Sequence, residues 1–322
     1  MRMSLHCPTR RYGSPPLSRK LEQRTSSDVT IPYMTPGTLL DSKVLHRIDF
    51  RRGDNLVENQ WKDFDMRLLL HDDNLGPRSP GDSAEMDSEM LALAYAYPPL
   101  SAEQSWVRAN FISTLDGAAT GDDGHSGSIN TGADREVFQL LRALSDVVLV
   151  GAGTARVEGY KRATVKNRWS ALRKGRPAHP TTAVVSRSGG VPAGLSKARQ
   201  DSGEVLMLTC HRAGAEAIDL ARGALGRGHV IVAGEDTVDL MAAVDALAMR
   251  GLQRVLCEGG PHLMGDLTAV GRLDELCLTI APILVGGQHP RITAGASAAV
   301  GLVPRLLIES QGSILGRWTA PD

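Results

Sequence analysis

The sequence predicts an α/β protein with a mainly parallel sheet and helices on both faces. Short apolar runs rich in β-branched residues, such as DVVLVG (146–151) and TTAVVS (181–186), are typical of strands that are covered on both faces. Segments with helical periodicity alternate with these runs, which is the arrangement of doubly wound sheets. Near the C-terminus, two apolar runs flank Gln311 and Gly312 and predict a hairpin that adds antiparallel strands at the edge of the sheet.

The regular pattern starts near residue 105 and continues to the C-terminus. WVRANFIST (106–114) alternates as a strand does, and the apolar residues of 134–144 lie on one helical stripe. The strands that follow are predicted at 146–151, 181–186, 204–209, 229–234, 254–257 and 274–284. Among them, one helix with Thr237 as its N-cap extends to Arg250, and another begins at Pro261.

Residues 1–62 have a different composition from the rest of the chain. Arg, Ser, Pro and other polar residues dominate there, and no strand or helix period can be followed. We predict a disordered tail, or an extension that does not belong to the natural chain, whose start would then be Met66. The remainder, 63–322, is predicted to form a single domain.

The composition limits the classes of partner. The 36 basic residues balance the 36 acidic ones, so the chain has no overall charge to attract nucleic acid or an anionic membrane. No apolar run approaches the roughly 18 to 20 residues that span a bilayer. The four cysteines are scattered without metal-ligand spacing and suit a reducing cytoplasm. We expect small-molecule ligands, no metal and a cytoplasmic location.

Two glycine-containing strand ends are candidate phosphate sites. Ligands of open α/β sheets gather at the carboxyl ends of strands, where helix N-termini offer free amides. Gly151, Gly153 and Thr154 follow the 146–151 strand, while Gly259 and Gly260 follow Glu258 at the end of the 254–257 strand. Glycine lets the backbone approach a ligand closely. A plain turn explains each motif almost as well, and only the combination favours a nucleotide site.

Other strand ends and a long loop add polar candidates. Ser186 and Arg187 have the hydroxyl and the charge that bind a phosphomonoester, although a solvated turn is the simpler explanation. Asp116 lies before a glycine-rich loop, where an acid either caps the turn or serves a site. Ser126 and Ser128 follow in that loop, and Arg142 lies on the next helix off its apolar stripe.

Taken in order, these motifs resemble a known family. NFISTLDGAAT, VFQLLRALSDVVLVGAGTARVEGY and VLCEGGPHLMG followed by LDELCLTIAPILVGG are similar to the C-terminal reductase domain of bacterial riboflavin biosynthesis, from about residue 65 to the end. That enzyme acts on 5-amino-6-(5-phosphoribosylamino)uracil. The resemblance implies a dihydrofolate-reductase-like fold, NADPH as the cofactor and a homodimer. The zinc-deaminase signature of the longer bifunctional members is missing from this chain.

The resemblance also assigns roles to individual positions. Those it places at NADP are Ser113, Ser128, Thr154, Glu158, Arg187 and the residues from Gly259 to Gly265, among them Gly260, Leu263 and Met264. The strand-end motifs add Gly151, Gly153 and Ser186 as further cofactor candidates. Ser126, Arg142 and Glu258 match substrate contacts, and Asp116 and Glu258 are the candidate catalytic residues. Many members have Trp in place of Ser128 and Asp-Pro in place of Gly159-Tyr160, which puts the neighbouring contacts in question.

These observations predict an NADPH-dependent oxidoreductase that reduces a phosphoribosylamino-pyrimidine in riboflavin biosynthesis. The hydride would be transferred to C1′ of the ring-opened sugar, while the protein aligns the reactants and admits a proton. Two alternatives stay open. A dihydrofolate or other pterin also presents an amino-pyrimidine edge to a carboxylate, and a nucleotide-binding protein without catalysis would need the same cofactor motifs.

Overall fold

The structure is a computed structural model, and it describes residues 65–71, 85–197 and 199–321. All of these belong to one compact unit, Asp54–Asp322. The extension predicted over 1–62 lies outside the described residues, and the single domain over 63–322 stays a prediction. Across the described residues, no helix combines the length and the apolar character that a membrane span requires.

In the described part of the chain, ten strands form one mixed sheet. The strands are β1 (Arg67–His71), β2 (Trp106–Thr114), β3 (Val147–Gly151), β4 (Thr181–Val185), β5 (Val205–Thr209), β6 (Val230–Val232), β7 (Arg254–Cys257), β8 (Glu275–Ala281), β9 (Val303–Ser310) and β10 (Ser313–Thr319). Their order across the sheet is β1-β9-β10-β8-β2-β7-β3-β4-β5-β6. From β8 to β6 all neighbours are parallel, whereas β1, β9 and β10 are antiparallel. The predicted mainly parallel sheet with a C-terminal hairpin is confirmed.

Helices cover both faces of this sheet. They are α1 (Ser88–Ala94), α2 (Gly132–Leu144), α3 (Ala152–Val157), α4 (Ala193–Ser196), α5 (Ala215–Leu225), α6 (Leu240–Ala248) and α7 (Pro261–Ala269). Short 3-10 helices lie at Ser126–Ser128, Asn167–Arg173, His211–Ala213 and Arg227–His229. Successive residues of β3 show the two faces: Leu149 packs with α6 and α7, whereas Val148 and Val150 pack with the helices on the other side.

Three elements differ from the sequence prediction. β1 was not predicted, because its partner β9 is far away in the sequence. α6 begins after Asp239 and not after Thr237, since the Asp239 carboxylate accepts the Ala242 amide at 3.1 Å. The strand predicted over 274–284 ends at Ala281, directly before Pro282, which has no amide to donate to a neighbouring strand.

The centre of the sheet positions the site. β7 lies between β2 and β3, and its carboxyl end continues as Glu258-Gly259-Gly260 beside the end of β3. The Glu258 amide donates to the Leu149 carbonyl at 3.0 Å, and the Gly151 amide donates to the Gly259 carbonyl at 2.7 Å. These bonds fix the two glycine-containing strand ends against each other.

Candidate active site

A cavity of about 850 Å³ opens at the carboxyl ends of β2, β7 and β3. The first turns and the last turn of α2, the helix α3 and the glycine-rich loop (residues 117–131) form its walls. Seven of the residues selected from the sequence contribute to the lining: Ser126, Arg142, Gly153, Thr154, Glu158, Glu258 and Gly260. The fold therefore brings together motifs that are far apart in the sequence.

Arg142 and Glu258 form a buried ion pair in this cavity. Arg142 Nε and Nη2 donate to the two oxygens of Glu258, each at 2.7 Å. The Glu258 side chain is 1% exposed and that of Arg142 is 19% exposed. Burial alone would lower the pKa of Arg142, but the neighbouring Glu258 carboxylate outweighs it and holds this pKa above its ordinary value. Arg142 is therefore charged at physiological pH.

Tyr160 completes the coordination of Glu258. Its hydroxyl donates to Glu258 Oε2 at 2.8 Å, and burial, reinforced by Glu258, raises the pKa of Tyr160 well above its usual value. The Phe138 ring lies 4.3 Å from the Arg142 guanidinium carbon. Glu258 is thus held on one side by arginine and on the other by a phenol, while one edge of Arg142 is left toward the cavity.

The backbone around Gly260 leaves amides available to a ligand. α7 begins after Gly260 with Pro261 in its first turn and without a side-chain cap, so the amides of His262 and Leu263 have no acceptor within the helix. A Cβ on Gly260 would lie 2.2 Å from Thr154 Oγ1, and only glycine fits at this close approach. This arrangement suits an anion such as a pyrophosphate.

The glycine-rich loop is tied to α3 across the cavity. Ser126 donates to Glu158 Oε1 through its amide at 3.1 Å and through its hydroxyl at 3.2 Å. His125 Nδ1 lies 3.4 Å from the other oxygen of Glu158. Ser128, in contrast, is exposed and donates to Asp123 at 2.8 Å. The structure places Ser126 and Glu158 at the cavity and Ser128 outside its lining.

Asp116 lies outside the cavity lining, and its catalytic role stays a prediction. Its carboxylate accepts the Thr114 hydroxyl and the amides of Val285 at 3.2 Å and Gly286 at 2.7 Å. The Thr114 hydrogen bond, followed by that from Gly286, lowers the pKa of Asp116, which favours its ionised form. The geometry favours the turn-closing role.

The other predicted positions do not line the cavity. Ser186 and Arg187 follow β4, where Ser186 is buried and Arg187 is exposed. Leu263 and Met264 bury their side chains in the core on the far face of the sheet, so that only the backbone of this turn faces the site. Ser113, Gly151 and Gly259 also lie outside the lining. In the described segments, no group of three or more His, Cys, Asp or Glu side chains is arranged to hold a metal ion.

Several lining residues were not selected from the sequence. Tyr160, Lys161, Arg162 and Arg199 supply hydroxyl and cationic groups. Asn110, Thr120, Asn130 and Asp134 supply further polar groups, and Thr120 Oγ1 and Asn130 Oδ1 are buried without a hydrogen-bond partner. Asp134 gave no signal because an acid in the first turn of a helix is expected to complement the helix dipole. Its burial, at 4% exposure, is visible only in the structure.

Asp134 makes stability depend on pH. Burial raises the pKa of its carboxyl group to about 6, against a hydrogen bond from Thr279. The unfolded chain releases this proton near pH 4, so ionisation between about pH 4 and pH 6 costs the folded state about 3 kcal/mol. We expect Asp134→Asn to gain stability relative to the wild type over this interval, and the difference to level off above it. Urea unfolding at a series of pH values measures this, and a difference that is independent of pH would contradict it.

Comparison with known proteins identifies relatives of this chain. A family model described as the RibD C-terminal domain matches residues 105–309. The 2,5-diamino-6-ribosylamino-4(3H)-pyrimidinone 5′-phosphate reductase of Archaeoglobus fulgidus is 29% identical over 196 residues, which cover 60% of this chain and 87% of that protein. The protein of the same name from Methanothermobacter thermautotrophicus is 29% identical over 189 residues, which cover 58% and 82% of the two chains.

Solved structures share the fold. A pyrimidine reductase-like protein from Corynebacterium diphtheriae is 28% identical with a TM-score of 0.62, over 72% of this chain and 98% of that one. A deaminase and 5-amino-6-(5-phosphoribosylamino)uracil reductase from Thermotoga maritima has a TM-score of 0.51 at 20% identity, over 68% and 57% of the two chains. The likeness to pyrimidine reductases confirms the fold that the sequence resemblance implied.

Proposed function

The chain belongs to the RibD C-terminal domain family, and from this membership and the cavity we propose that it is an NADPH-dependent reductase that converts a phosphoribosylamino-pyrimidine to its ribitylamino product in riboflavin biosynthesis. It is an oxidoreductase of the type of its named relatives. The base is either the uracil expected from the sequence or the 2,5-diaminopyrimidinone in the names of those relatives.

One observation carries the proposal: the backbone cradle at Gly260 and the Arg142–Glu258 pair line the same cavity. A hydride transfer needs a nucleotide and a second ligand in contact, with water kept out. The cradle suits the first ligand, and the charged groups beside it suit a phosphorylated second one. A cofactor-binding protein without catalysis would have no need of the charged groups beside the cradle.

The residues fit a nicotinamide dinucleotide. The amides of His262 and Leu263 would hold the pyrophosphate beside Thr154, which lies directly against Gly260 because that residue has no Cβ. Ser186 and Arg187 would bind a 2′-phosphate and so favour NADPH over NADH. When bound, the nicotinamide supplies the hydride.

The cationic groups would hold the phosphate end of the substrate. Lys161, Arg162 and Arg199 line the cavity together with Arg142. Arg162 is already anchored, because its Nε donates to the Leu195 carbonyl at 3.2 Å. A phosphate held here leaves the ring-opened sugar between the two ligand sites, where C1′ accepts the hydride and the imine nitrogen takes up a proton. The glycine-rich loop, tied down by Glu158, would exclude water.

An absorbance assay tests the proposal directly. Purified protein is given NADPH with the phosphoribosylamino-pyrimidine, with dihydrofolate, or with no second substrate, and the loss of NADPH absorbance is followed. We expect oxidation only with the first. Oxidation with dihydrofolate would favour a pterin reductase, and NADPH binding without oxidation in any mixture would favour a non-catalytic protein.

The 2′-phosphate assignment leads to a prediction for Arg187. We expect Arg187→Ala to raise the KM for NADPH roughly 10- to 100-fold and to leave that for NADH unchanged, because one charge-assisted contact is worth about 1.5–3 kcal/mol. The matched control is Arg222→Ala, which removes a partly exposed arginine on α5 whose ion-pair partner is the exposed Asp219. An equal rise in KM for both cofactors would place Arg187 elsewhere.

The proposal includes a homodimer and a cytoplasmic location, as the sequence resemblance and the cysteine pattern suggested. Sedimentation equilibrium tests the first, and a species with the mass of one chain at assay concentrations would contradict it. Fractionation of cells that express the natural protein tests the second.

A further inference from the structure

Among the described residues, one carboxylate in the cavity, that of Asp134, has no ion-pair partner, and Arg135 acts on it only as a longer-range charge. Asp134 is 4% exposed and lines the cavity from the first turn of α2. Thr279 on β8 gives it a side-chain hydrogen bond. In the segments that the structure describes, no lysine, arginine or histidine lies within 4.0 Å of it, whereas Glu258 in the same cavity has Arg142.

A buried carboxylate without an ion pair destabilises the folded protein unless a ligand binds to it. Buried charges in proteins are normally paired or coordinated, because their desolvation is otherwise uncompensated. The same cavity also contains Thr120 Oγ1 and Asn130 Oδ1, both buried and without a hydrogen-bond partner. Two unpartnered oxygens and a carboxylate without an ion pair, all in one cavity, indicate a ligand with several N–H donors.

We propose that Asp134 binds the 2-amino and N3–H edge of the base and selects a 2-amino-pyrimidinone over a uracil as the substrate. This inference rests on the proposed function and names the base that the reductase takes. The edge of a 2-aminopyrimidin-4-one presents two parallel N–H donors, which match the two oxygens of a carboxylate as a guanidinium does. A uracil presents one N–H between two carbonyl oxygens, so one carboxylate oxygen would face a lone pair.

The geometry of α2 supports this orientation. Asp134 and Arg142 lie eight positions apart on one helix and both line the cavity. They are therefore separated by about 12 Å along the helix axis. That distance leaves room for a pyrimidine ring at the acidic end and a five-carbon chain leading to a phosphate at the cationic end. The base and the phosphate would thus be recognised by groups of opposite charge.

Steady-state kinetics with both bases tests the assignment. We expect the wild type to use the 2,5-diaminopyrimidinone nucleotide with a kcat/KM roughly 10- to 100-fold above that for the uracil nucleotide. Asp134→Asn should reverse this preference, because an amide offers one acceptor and one donor, which complement the N–H and carbonyl of uracil. The KM for NADPH should stay unchanged. Asp219→Asn, an exposed position on α5, is the matched control.

The outcomes separate this inference from the proposed function. If neither nucleotide oxidises NADPH, the proposed function fails. If the wild type uses both equally, or prefers the uracil, the function stands and the role of Asp134 is refuted without reference to any variant. If Asp134→Asn lowers kcat/KM for both bases by the same factor while its NADPH binding is intact, Asp134 does not determine specificity.

Discussion

Glu275→Ala is expected to lower the free energy of unfolding by about 3–5 kcal/mol, because it removes the buried carboxylate that contacts Arg108 and Arg317 and leaves Arg108 buried without its counter-ion. Glu275 has a fully buried side chain, and its oxygens lie 2.7 Å from Arg108 Nε and 3.2 Å from Arg317 Nε. Trp106 Nε1 also donates to Glu275 at 2.9 Å. The Arg108 side chain is fully buried as well, so its charge stays shielded from bulk solvent when the carboxylate is lost.

The network matters because it joins the segment after α1 to the sheet. Arg108 Nη1 donates to the Tyr95 carbonyl at 2.7 Å, and Arg317 donates to the Ala94 carbonyl. The Tyr97 ring lies 4.0 Å from the Arg108 guanidinium carbon. Burial works against the charge of Arg108, but Glu275 overcomes it and keeps the pKa of Arg108 above its ordinary value. Removing Glu275 therefore loosens every one of these contacts together.

Urea unfolding followed by circular dichroism measures the effect, and Arg67→Ala is the control. Arg67 pairs with Glu309 at 3.2 Å, but its side chain is 53% exposed, so we expect a loss of at most about 1 kcal/mol. The loss of stability in Glu275→Gln should lie between those of Glu275→Ala and Arg67→Ala, since glutamine keeps hydrogen-bonding atoms and loses the charge. If Glu275→Ala unfolds at the urea concentration of the control, the network does not stabilise the fold as its burial implies.

Local signals explain which parts of the fold were predictable. β-branched runs mark the central strands, and Pro261 marks the start of α7, because these features act within a few residues. β1 is different: Leu68 pairs with Ile308, and no local pattern reveals a partner at that separation. The cap of α6 was a choice between Thr237 and Asp239, two residues with similar capping chemistry, and only the packed structure decides it.

The sequence predicts which strand ends contribute to the site, but it does not predict which of their side chains contact each other. Glu258 and Arg142 were both selected, yet nothing in the sequence shows that each is the main partner of the other. Tyr160 was noted only as a departure from the family pattern, and it proves to contact Glu258. Asp134 was not selected because an acid in the first turn of a helix is already explained by the helix dipole. Contacts between side chains more than 100 residues apart depend on the whole sheet.

We expect Arg142→Ala to raise the KM for the pyrimidine substrate roughly 100-fold and to change that for NADPH little. Arg142 combines a fixed charge with an edge that faces the cavity, and misplacing such a group costs about this much. Glu258→Gln should give a similar loss, because a neutral amide cannot accept both N–H groups of Arg142 and the guanidinium then has no fixed orientation. Steady-state kinetics with each substrate varied in turn measures both effects, and equal changes in the two KM values would contradict the assignment.

The double variant decides how Glu258 acts. With both oxygens engaged by Arg142 and Tyr160 and a side chain that is 1% exposed, Glu258 has little left to offer a ligand. We infer that it is a positioning residue that works through Arg142, although the family resemblance implies direct substrate contact. The double variant Arg142→Ala, Glu258→Gln should then raise the KM for the pyrimidine substrate no more than Arg142→Ala alone does, because the effects of substituting two residues that act through each other are not additive. If the two losses multiply instead, Glu258 binds the substrate independently. Tyr160→Phe removes one of the hydrogen bonds to Glu258 and leaves the ion pair, so we expect it to raise the KM for the pyrimidine substrate roughly tenfold at most. NADPH binding that matches the wild type would show that each variant is folded.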